Sequence, residues 1–344
     1  MRKQKFLTVV CIFLFIGQAI PLMAQETTVE PFLGRWAFDL GYNSSNVGWL
    51  EVRQEDGYID ADVLWRWGSV YPVDFVFIEQ DHLFIIHNQR VVRKKDDSGK
   101  PVRIQQQVYW FDITKNGDDK LEGMAFFPNQ NGIGIESVTI SGKKIPEHDA
   151  APDLEKIKFG KPVKLFNGKD LTGWELLEEN ATNGWKVVDG ILVNDPVHKA
   201  GEQQVHYGNL RTTNTFEDFN LKLEVNVPKG SNSGIYLRGI YEVQVLDSYG
   251  RALDSHNMGG LYSRITPSEE AEKPAGEWQE MDITLCKRYL TVILNGKKII
   301  DNQPVMGVTG GAMISDEFVP GPIYLQGDHG KVSYRNITLT PIIH

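Results

Sequence analysis

NSGIYLRGIYEVQVLDSYG, residues 232–250, contains the alternation of apolar and polar side chains that is typical of two short β-strands. One face of the predicted pair is aliphatic and consists of Ile235, Leu237, Val243 and Val245. The opposite face carries an aromatic ring, a cation, a carboxylate and an amide, namely Tyr236, Arg238, Glu242 and Gln244. This composition differs from an ordinary solvated strand face, so we interpret it as a concave recognition surface for a hydroxyl-rich ligand. A cross-strand pair of Arg238 and Glu242 with a structural role is the alternative.

Strands of this kind fill both halves of the 344-residue chain and predict an all-β protein. From residue 31 to 146, short alternating or aromatic runs between turn signals predict a small antiparallel β-barrel or sandwich. Residues 147–158 form a charged, proline-containing bridge that is typical of a linker. From residue 159 to 344, many short strands and the hairpin signal Asn295-Gly296 predict a jelly-roll sandwich of two sheets with one curved face.

Four aromatic residues in the first half are candidates for a sugar-stacking surface: Trp65, Trp67, Tyr109 and Trp110. Aromatic rings of this size more often pack inside a barrel, and we expect most of the four to do so.

The first 24 residues have the features of an export signal. A basic start precedes an apolar run from residue 6 to 20, and the small residue Ala24 stands before the predicted cleavage point. After this segment no run approaches the ~18–20 apolar residues that a membrane span needs. We therefore expect an exported, periplasmic protein without a membrane span.

The charge of the chain limits the classes of partner. The formal net charge is −9 and the isoelectric point is near 5.5, which argues against nucleic acid or an anionic membrane as the partner. The sequence contains no HExxH, no Cys-x-x-Cys and no phosphate-binding glycine loop before a helix. It therefore predicts no specific cofactor. A divalent metal beside Glu242 or His329 stays open, although no ligand spacing requires one.

A series of motifs runs in order through the whole second half. It begins with LFNGKDLTGW at residues 165–174 and WKVVDG at residues 185–190. The later motifs lie at residues 216–219, 232–250, 276–278, 294–296, 321–326, 329–330 and 334–337. This series resembles the 3-keto-disaccharide hydrolase domain family, which was long known only as a domain of unknown function. The first half has no part in the resemblance.

The resemblance implies a concanavalin-like jelly roll that acts on glycosides whose sugar is oxidised at carbon 3. A 3-keto group acidifies the proton on carbon 2, so a modest base can form an enolate and expel the anomeric substituent by elimination. Addition of water then gives net hydrolysis. This route needs one base and some stabilisation of the enolate oxygen. It does not need the two carboxylates at a set separation that ordinary glycosidases use.

The predicted catalytic residues are Glu242, His329 and Arg238. Glu242 could bind sugar hydroxyls, act as a base or help to hold a cation. His329 follows an apolar strand between two glycines, where an imidazole can be presented to a cleft for general acid–base work, and Asp328 could orient it. Arg238 is expected to bind hydroxyls or to stabilise the enolate oxygen. The predicted substrate-binding residues are Gln244, Tyr236, Tyr262, Gln326 and His256.

Together these features predict an enzyme that cleaves 3-keto-glycosides, with a carbohydrate as its partner. Two other classes stay open, a non-catalytic carbohydrate-binding module and a conventional glycoside hydrolase. The tight acidic signature E-x-D-x-x-E of laminarinase-type glycosidases is absent, because Glu242 is followed by Gln244 two residues later. This absence argues against a conventional retaining mechanism. His198 and His206 lack the spacing of a metal motif and are not among the candidates.

Overall fold

The computed structural model describes residues 28–41, 46–197 and 205–343. All regular secondary structure in these residues is β-strand, which confirms the prediction of an all-β protein. The described part of the chain contains no helix of the length and apolarity that a membrane span requires. The predicted export signal, residues 1–24, lies outside the described residues.

The first half is a small barrel. Its strands are β1 (Gly34–Leu40), β2 (Val47–Glu55), β3 (Tyr58–Trp65), β4 (Tyr71–Pro72), β5 (Phe75–Glu79), β6 (His82–Lys95), β7 (Pro101–Lys115), β8 (Lys120–Pro128) and β9 (Ile135–Ile145). They form one antiparallel sheet in the order β4-β3-β2-β1-β9-β8-β7-β6-β5. Because the edge strands β4 and β5 almost follow each other in the chain, the sheet must curl back on itself. The backbone N–H of Val73 donates to the Ala61 carbonyl on β3, and that of Asp74 donates to the Ile86 carbonyl on β6. These two bonds link the two edges of the sheet and close the barrel.

Alternate side chains fill the interior of this barrel, as expected for a small closed sheet. The interior includes Phe38, Leu50, Val63, Ile85 and Phe111. Trp65 packs edge to face against Phe111, with 5.3 Å between ring centroids. Trp110 stacks on Phe126 at 5.1 Å. These two of the four aromatic candidates therefore pack against other aromatic rings of the barrel.

In the second half, the described residues form fourteen strands, most of them short. They are β10 (Lys158–Phe159), β11 (Val163–Lys164), β12 (Trp174–Leu176), β13 (Trp185–Val188), β14 (Ile191–Asn194), β15 (Leu210–Thr212), β16 (Phe219–Asn226), β17 (Asn232–Leu237), β18 (Tyr241–Leu246), β19 (Trp278–Cys286), β20 (Tyr289–Leu294), β21 (Lys297–Pro304), β22 (Tyr324–Leu325) and β23 (Val332–Ile343). Leu294 pairs with Lys297 across the Asn295-Gly296 turn, which confirms the predicted hairpin between β20 and β21.

These strands form two sheets. The front sheet has the order β12-β15-β22-β17-β18. The back sheet has the order β13-β14-β23-β16-β19-β20-β21, and β10 and β11 also pair with β23. The aliphatic side chains of β17 and β18 are fully buried in the core that the two sheets share: Ile235, Leu237, Val243 and Val245. The second half is therefore the predicted jelly roll, and its front sheet turns its other face outward.

The barrel has its own apolar interior, but four of its buried side chains also extend the core of the jelly roll. Val47 and Trp49 on β2, Leu64 on β3 and Ile145 on β9 are buried in the same cluster as the side chains between the front and back sheets. The guanidinium of Arg264 lies 4.2 Å from the centroid of the Trp49 ring. Packing across this junction therefore fixes the barrel against the jelly roll.

The bridge between the halves is held along the jelly roll. The described residues 147–157 form no strand, but their carbonyl groups accept hydrogen bonds from side chains of the back sheet. Tyr289 Oη donates to the Asp149 carbonyl at 2.8 Å. Asn302 Nδ2 donates to the Pro152 carbonyl at 3.0 Å. These bonds attach the predicted linker to the edge formed by β20 and β21.

Candidate active site

A cavity of about 760 Å³ lies on the outward face of the front sheet. Its walls come from the front sheet, from loops of the second half and from one loop of the barrel. The lining residues are Trp67, Gly68, Leu177, Glu178, His206, Asn209, Asn232, Tyr236, Glu242, Tyr262, Gly310, Gly311, Ala312, Met313, Tyr324, Gln326, Asp328 and His329. A volume of this size suits a ligand larger than one sugar ring, since pockets of about 300–1,000 Å³ typically hold drug-sized molecules.

The floor of the cavity consists of two stacked tyrosines and a carboxyl group. Tyr236 on β17 and Glu242 on β18 are direct cross-strand partners, and Tyr236 Oη lies 2.8 Å from Glu242 Oε2. Tyr236 also pairs with Tyr324 on β22, and their rings stack with 3.9 Å between centroids. Strand alternation therefore brings all three side chains to one face of the front sheet.

Glu242 is held in the floor with little access to water. It is only 4% exposed. A β-carbon at position 234 would overlap its Oε1 atom, so the carboxyl group occupies the space that Gly234 leaves free. This burial raises the pKa of Glu242 to about 8, although the hydrogen bond from Tyr236 and the charge of His329 work in the opposite direction. At neutral pH most Glu242 side chains therefore keep their proton.

The hydroxyl of Tyr236 can pass a hydrogen bond onward. Tyr236 Oη lies 2.8 Å from the Gly310 carbonyl as well as 2.8 Å from Glu242. One hydroxyl proton cannot serve both oxygens at once. When Glu242 is protonated it can donate to Tyr236 while Tyr236 donates to Gly310. The floor therefore accommodates the neutral carboxylic acid without an unpaired group.

His329 and Asp328 form a pair in the wall of the cavity. His329 Nδ1 lies 2.7 Å from Asp328 Oδ1. The hydrogen bond to Asp328 raises the pKa of His329, although partial burial opposes the charged imidazole. For Asp328, burial disfavours ionisation, but the hydrogen bond and charge of His329 outweigh it and lower the pKa. The His329 side chain is 46% exposed, so it can exchange protons with solvent.

Two amide side chains in the wall of the cavity have an oxygen without a protein donor. Oε1 of Gln326 and Oδ1 of Asn232 are buried and accept no hydrogen bond within the described residues. Both residues line the cavity. A buried acceptor without a donor is costly unless a ligand or water supplies one. Sugar hydroxyl groups are donors of the required kind.

Arg238 does not line this cavity, contrary to the prediction that it shares a face with Glu242. Strand β17 ends at Leu237, and Arg238 has a φ of 54°, so the alternation stops before it. Its guanidinium is buried and donates to the carbonyl groups of Glu317 and Val319, each at 2.6 Å. The structure thus gives Arg238 a role in holding the segment after β21.

Gln244 and His256 also lie outside the lining of the cavity. Gln244 is 2% exposed, and its Oε1 accepts from the N–H of Val245 at 2.9 Å. His256 stands behind a lining residue, with its ring edge to face against Tyr262 at 4.8 Å. Its Nε2 lies 2.8 Å from Ser69 Oγ of the barrel. Loops cover the part of β18 that carries Gln244, and the alternation of side chains along a strand does not reveal such a cover.

The cavity brings together five of the predicted site residues and several that were not predicted. Glu242, His329, Tyr236, Tyr262 and Gln326 all line it, and their chemical roles stay predictions. The structure adds His206, Asn232, Tyr324 and Trp67 to this set. Trp67 was noted as an aromatic candidate, whereas His206 was set aside for lack of metal spacing. No group of three or more His, Cys, Asp or Glu side chains in the described ranges is arranged to hold a metal ion.

Comparison with known proteins identifies a domain family. The family described as the 3-keto-alpha-glucoside-1,2-lyase-like domain matches residues 161–340, which is more than half of the chain. The curated 3-keto-disaccharide hydrolase of Bacteroides thetaiotaomicron is 25% identical over 171 residues. This match covers 40% of the present chain and 57% of that protein, so the chain spans little more than half of its curated relative.

Solved structures with some similarity come from Parabacteroides distasonis. Two of them, each described as a candidate glycosyl hydrolase, have TM-scores of 0.44. The first is 22% identical and covers 52% of this chain and 92% of its own. The second is 28% identical and covers 56% of this chain and 93% of its own.

Proposed function

Because the chain belongs to the family of 3-keto-alpha-glucoside-1,2-lyase-like domains through residues 161–340, we propose that it cleaves the glycosidic bond of 3-keto-glycosides. The observation that supports this proposal most strongly is the composition of the cavity. Burial raises the pKa of Glu242 to about 8, the hydrogen bond to Asp328 raises the pKa of His329, and both residues line the same cavity. Acid–base groups of this kind are what proton abstraction next to a carbonyl requires.

The proposed reaction begins at carbon 2 of the oxidised sugar. His329, in its neutral form, accepts the proton from carbon 2, and the electron pair of that C–H bond moves to give an enolate with its charge on the oxygen at carbon 3. Glu242, in its neutral form, turns its proton from Tyr236 to that oxygen, and the Tyr236 hydroxyl then donates to Glu242 instead of to the Gly310 carbonyl. A carboxylic acid kept neutral by burial is suited to this task, because charge develops on the acceptor only as the reaction proceeds.

The second step breaks the glycosidic bond. The carbonyl at carbon 3 re-forms, a double bond forms between carbons 1 and 2, and the bond from carbon 1 to the aglycone oxygen breaks. The leaving oxygen takes the proton that His329 had accepted. The products are an unsaturated keto-sugar and the free aglycone, and later addition of water across the double bond gives net hydrolysis.

Asp328 and the floor tyrosines have supporting roles in this scheme. Asp328, 2.7 Å from His329 Nδ1, orients the imidazole and stabilises the imidazolium that forms. Tyr236 holds the Glu242 carboxyl group in place. Gln326 and Asn232, which line the cavity, are the proposed partners of the sugar hydroxyls.

The test compares oxidised and unoxidised substrates. The purified protein is incubated with a 3-keto-glucoside and, in parallel, with the same glucoside before oxidation, and released keto-sugar, unsaturated product and aglycone are measured. We expect cleavage of the keto-glucoside only. Equal cleavage of both substrates would refute the enolate route and favour a conventional hydrolase. Binding of both without cleavage would favour a carbohydrate-binding module.

We further propose that this reaction takes place outside the cytoplasm. The support is the basic start and apolar run of residues 1–24. Expression of the full chain in a Gram-negative host, followed by N-terminal sequencing of the periplasmic fraction, tests this. Retention of an uncleaved chain in the cytoplasm would refute it.

A further inference from the structure

Trp67 is an exposed tryptophan that the barrel presents to the cavity. It is 59% exposed and lines the cavity, although it lies outside the matched residues 161–340. Large aromatic side chains in small domains usually bury most of their surface. A tryptophan left open at the mouth of a cavity is therefore a candidate contact for a ligand.

The indole ring is held by the loop that carries it. The Arg66 guanidinium carbon lies 4.1 Å from the centroid of the Trp67 ring, so it covers one face of the indole. The backbone N–H of Arg66 donates to the Val47 carbonyl at 2.9 Å, and that of Trp67 donates to the Trp65 carbonyl at 2.9 Å. This contact leaves the opposite face of the indole for a ligand that stacks on Trp67. A ring held in this way loses little conformational entropy when a ligand stacks on it.

The same loop is fixed to the jelly roll. The N–H of Gly311 donates to the Arg66 carbonyl at 3.1 Å. A β-carbon at position 310 would overlap the carbonyl oxygen of Gly68, so the two backbones meet at a point where only glycine fits. The N–H of Val70 donates to Ser263 Oγ at 2.7 Å. Contacts on both sides therefore set the position of Trp67 relative to the cavity floor.

We propose that Trp67 stacks on a ring of the leaving group, so that the barrel supplies the aglycone subsite of this enzyme. This inference rests on the proposed function. The reacting carbons of the keto-sugar must lie near Glu242 and His329, and a cavity of about 760 Å³ has room for a second ring beside the first. The chemical class of ligand is a glycoside whose aglycone has a flat apolar face, either a pyranose or an aryl ring.

The experiment uses three 3-keto-glucosides that differ only in the aglycone: methyl, glucosyl and nitrophenyl. kcat/KM is measured for the wild type, Trp67→Ala and Trp67→Phe. We expect Trp67→Ala to lower kcat/KM about 10- to 100-fold for the ring-bearing substrates and to leave the methyl glycoside within about twofold, as for loss of an aromatic anchor. Trp67→Phe should restore most of the loss. The glucosyl and nitrophenyl arms show which ring is preferred.

Trp278→Ala is the matched control, because Trp278 also carries an arginine on its ring, Arg335 at 4.0 Å, but does not line the cavity. An equal loss with all three substrates, or no loss with any, would overturn the proposal for Trp67. An inactive wild type would instead refute the proposed function. In that case the dissociation constants of the three compounds are measured for the wild type and the Trp67 variants, and their comparison decides the role of Trp67. If the wild type bound none of the three compounds, both the proposed function and the proposed role of Trp67 would be overturned.

Discussion

Two buried glutamates, Glu242 and Glu317, have the same kind of hydrogen-bond partner, a tyrosine hydroxyl, but lie in different surroundings. Each lies within hydrogen-bond distance of a tyrosine hydroxyl, Tyr236 at 2.8 Å and Tyr241 at 2.7 Å. Each is almost fully buried, and burial raises the pKa of each. The two residues therefore look alike when only burial and the nearest bond are considered.

The difference lies in nearby cations and in access to the cavity. Positive charges of Arg288, Arg264 and Arg35 act on Glu317 and favour its ionised form. On Glu242 the positive charge of His329 acts instead, and Glu242 lines the cavity, whereas Glu317 does not. We infer that Glu317 has a structural role at the junction of the two halves and that Glu242 is available for proton chemistry. A perturbed pKa identifies a functional group only together with access for a ligand.

The largest expected effect concerns the partner of Glu242 in the cavity. His329→Ala should lower turnover of a 3-keto-glucoside about 10²- to 10⁴-fold, because it removes the proposed base. The matched control is His82→Ala, since His82 also pairs with an aspartate, Asp112 at 2.6 Å, on the barrel away from the cavity. Steady-state kinetics of both variants provide the measurement. Retention of wild-type turnover by His329→Ala would transfer the role of base to Glu242.

A smaller effect is expected on the Glu317 side of the comparison. Arg238→Ala should lower the free energy of unfolding by about 2–3 kcal/mol, because the carbonyl groups of Glu317 and Val319 lose a charged donor. Turnover per folded molecule should stay the same. Arg211→Ala, which removes a surface pair with Glu175, is the control and should cost at most about 1 kcal/mol. Denaturant unfolding and kinetics together decide whether Arg238 is structural or, as the sequence suggested, catalytic.

The last prediction separates the two glutamates by how the free energy of unfolding changes with each unit of pH. The pKa of Glu242 is about 8 in the folded state, whereas the ordinary value is 4.5. Between pH 4.5 and 8 the folded state therefore holds more of this proton than the unfolded state does. The wild type should therefore lose up to about 1.4 kcal/mol of unfolding free energy per pH unit as the pH rises through this window. Glu242→Gln does not titrate, so its stability relative to the wild type should increase with pH.

Glu317→Gln provides the contrast for that measurement. It removes the negative charge on which the neighbouring arginines act, so it should be less stable than the wild type at every pH at which Glu317 is ionised. Urea unfolding at several pH values between 5 and 8 measures both variants. In activity, Glu242→Gln should also lose the decline in kcat/KM that the wild type shows as Glu242 ionises near pH 8. A constant stability difference between Glu242→Gln and the wild type would show that Glu242 is ionised in the folded protein.

Local sequence pattern was sufficient for the architecture and for part of the site. Alternation along β17 and β18 correctly assigned the aliphatic face to the core, because every side chain on a regular strand must follow the pleat. The same rule placed Tyr236 and Glu242 together. It was wrong for Arg238, since the strand ends one residue earlier and the backbone enters a positive φ. A turn conformation of that kind leaves no trace in a pattern of apolar and polar residues.

The remaining part of the site depends on contacts between distant segments. Trp67 and His206 reach the cavity only because the barrel docks on the jelly roll and a loop folds back over the front sheet. Gln244 has the period expected of a site residue, but the loop after β18 covers it, and the N–H of Gly259 donates to its carbonyl. Long-range packing of this kind is set by the whole chain, so no motif or local period could have indicated it.

The contact between Gly68 and Gly310 has a consequence for how this protein can diverge. The backbone at Gly310 does not itself require glycine, because its φ is not in the left-handed region. The backbone of Gly68 excludes a side chain there, because a β-carbon at position 310 would lie 2.1 Å from the Gly68 oxygen and 2.6 Å from the Gly68 nitrogen. Position 310 is therefore free to vary in a relative that lacks the barrel and restricted in one that carries it. In an alignment, a glycine at this position would mark the lineages in which the barrel became part of the active site.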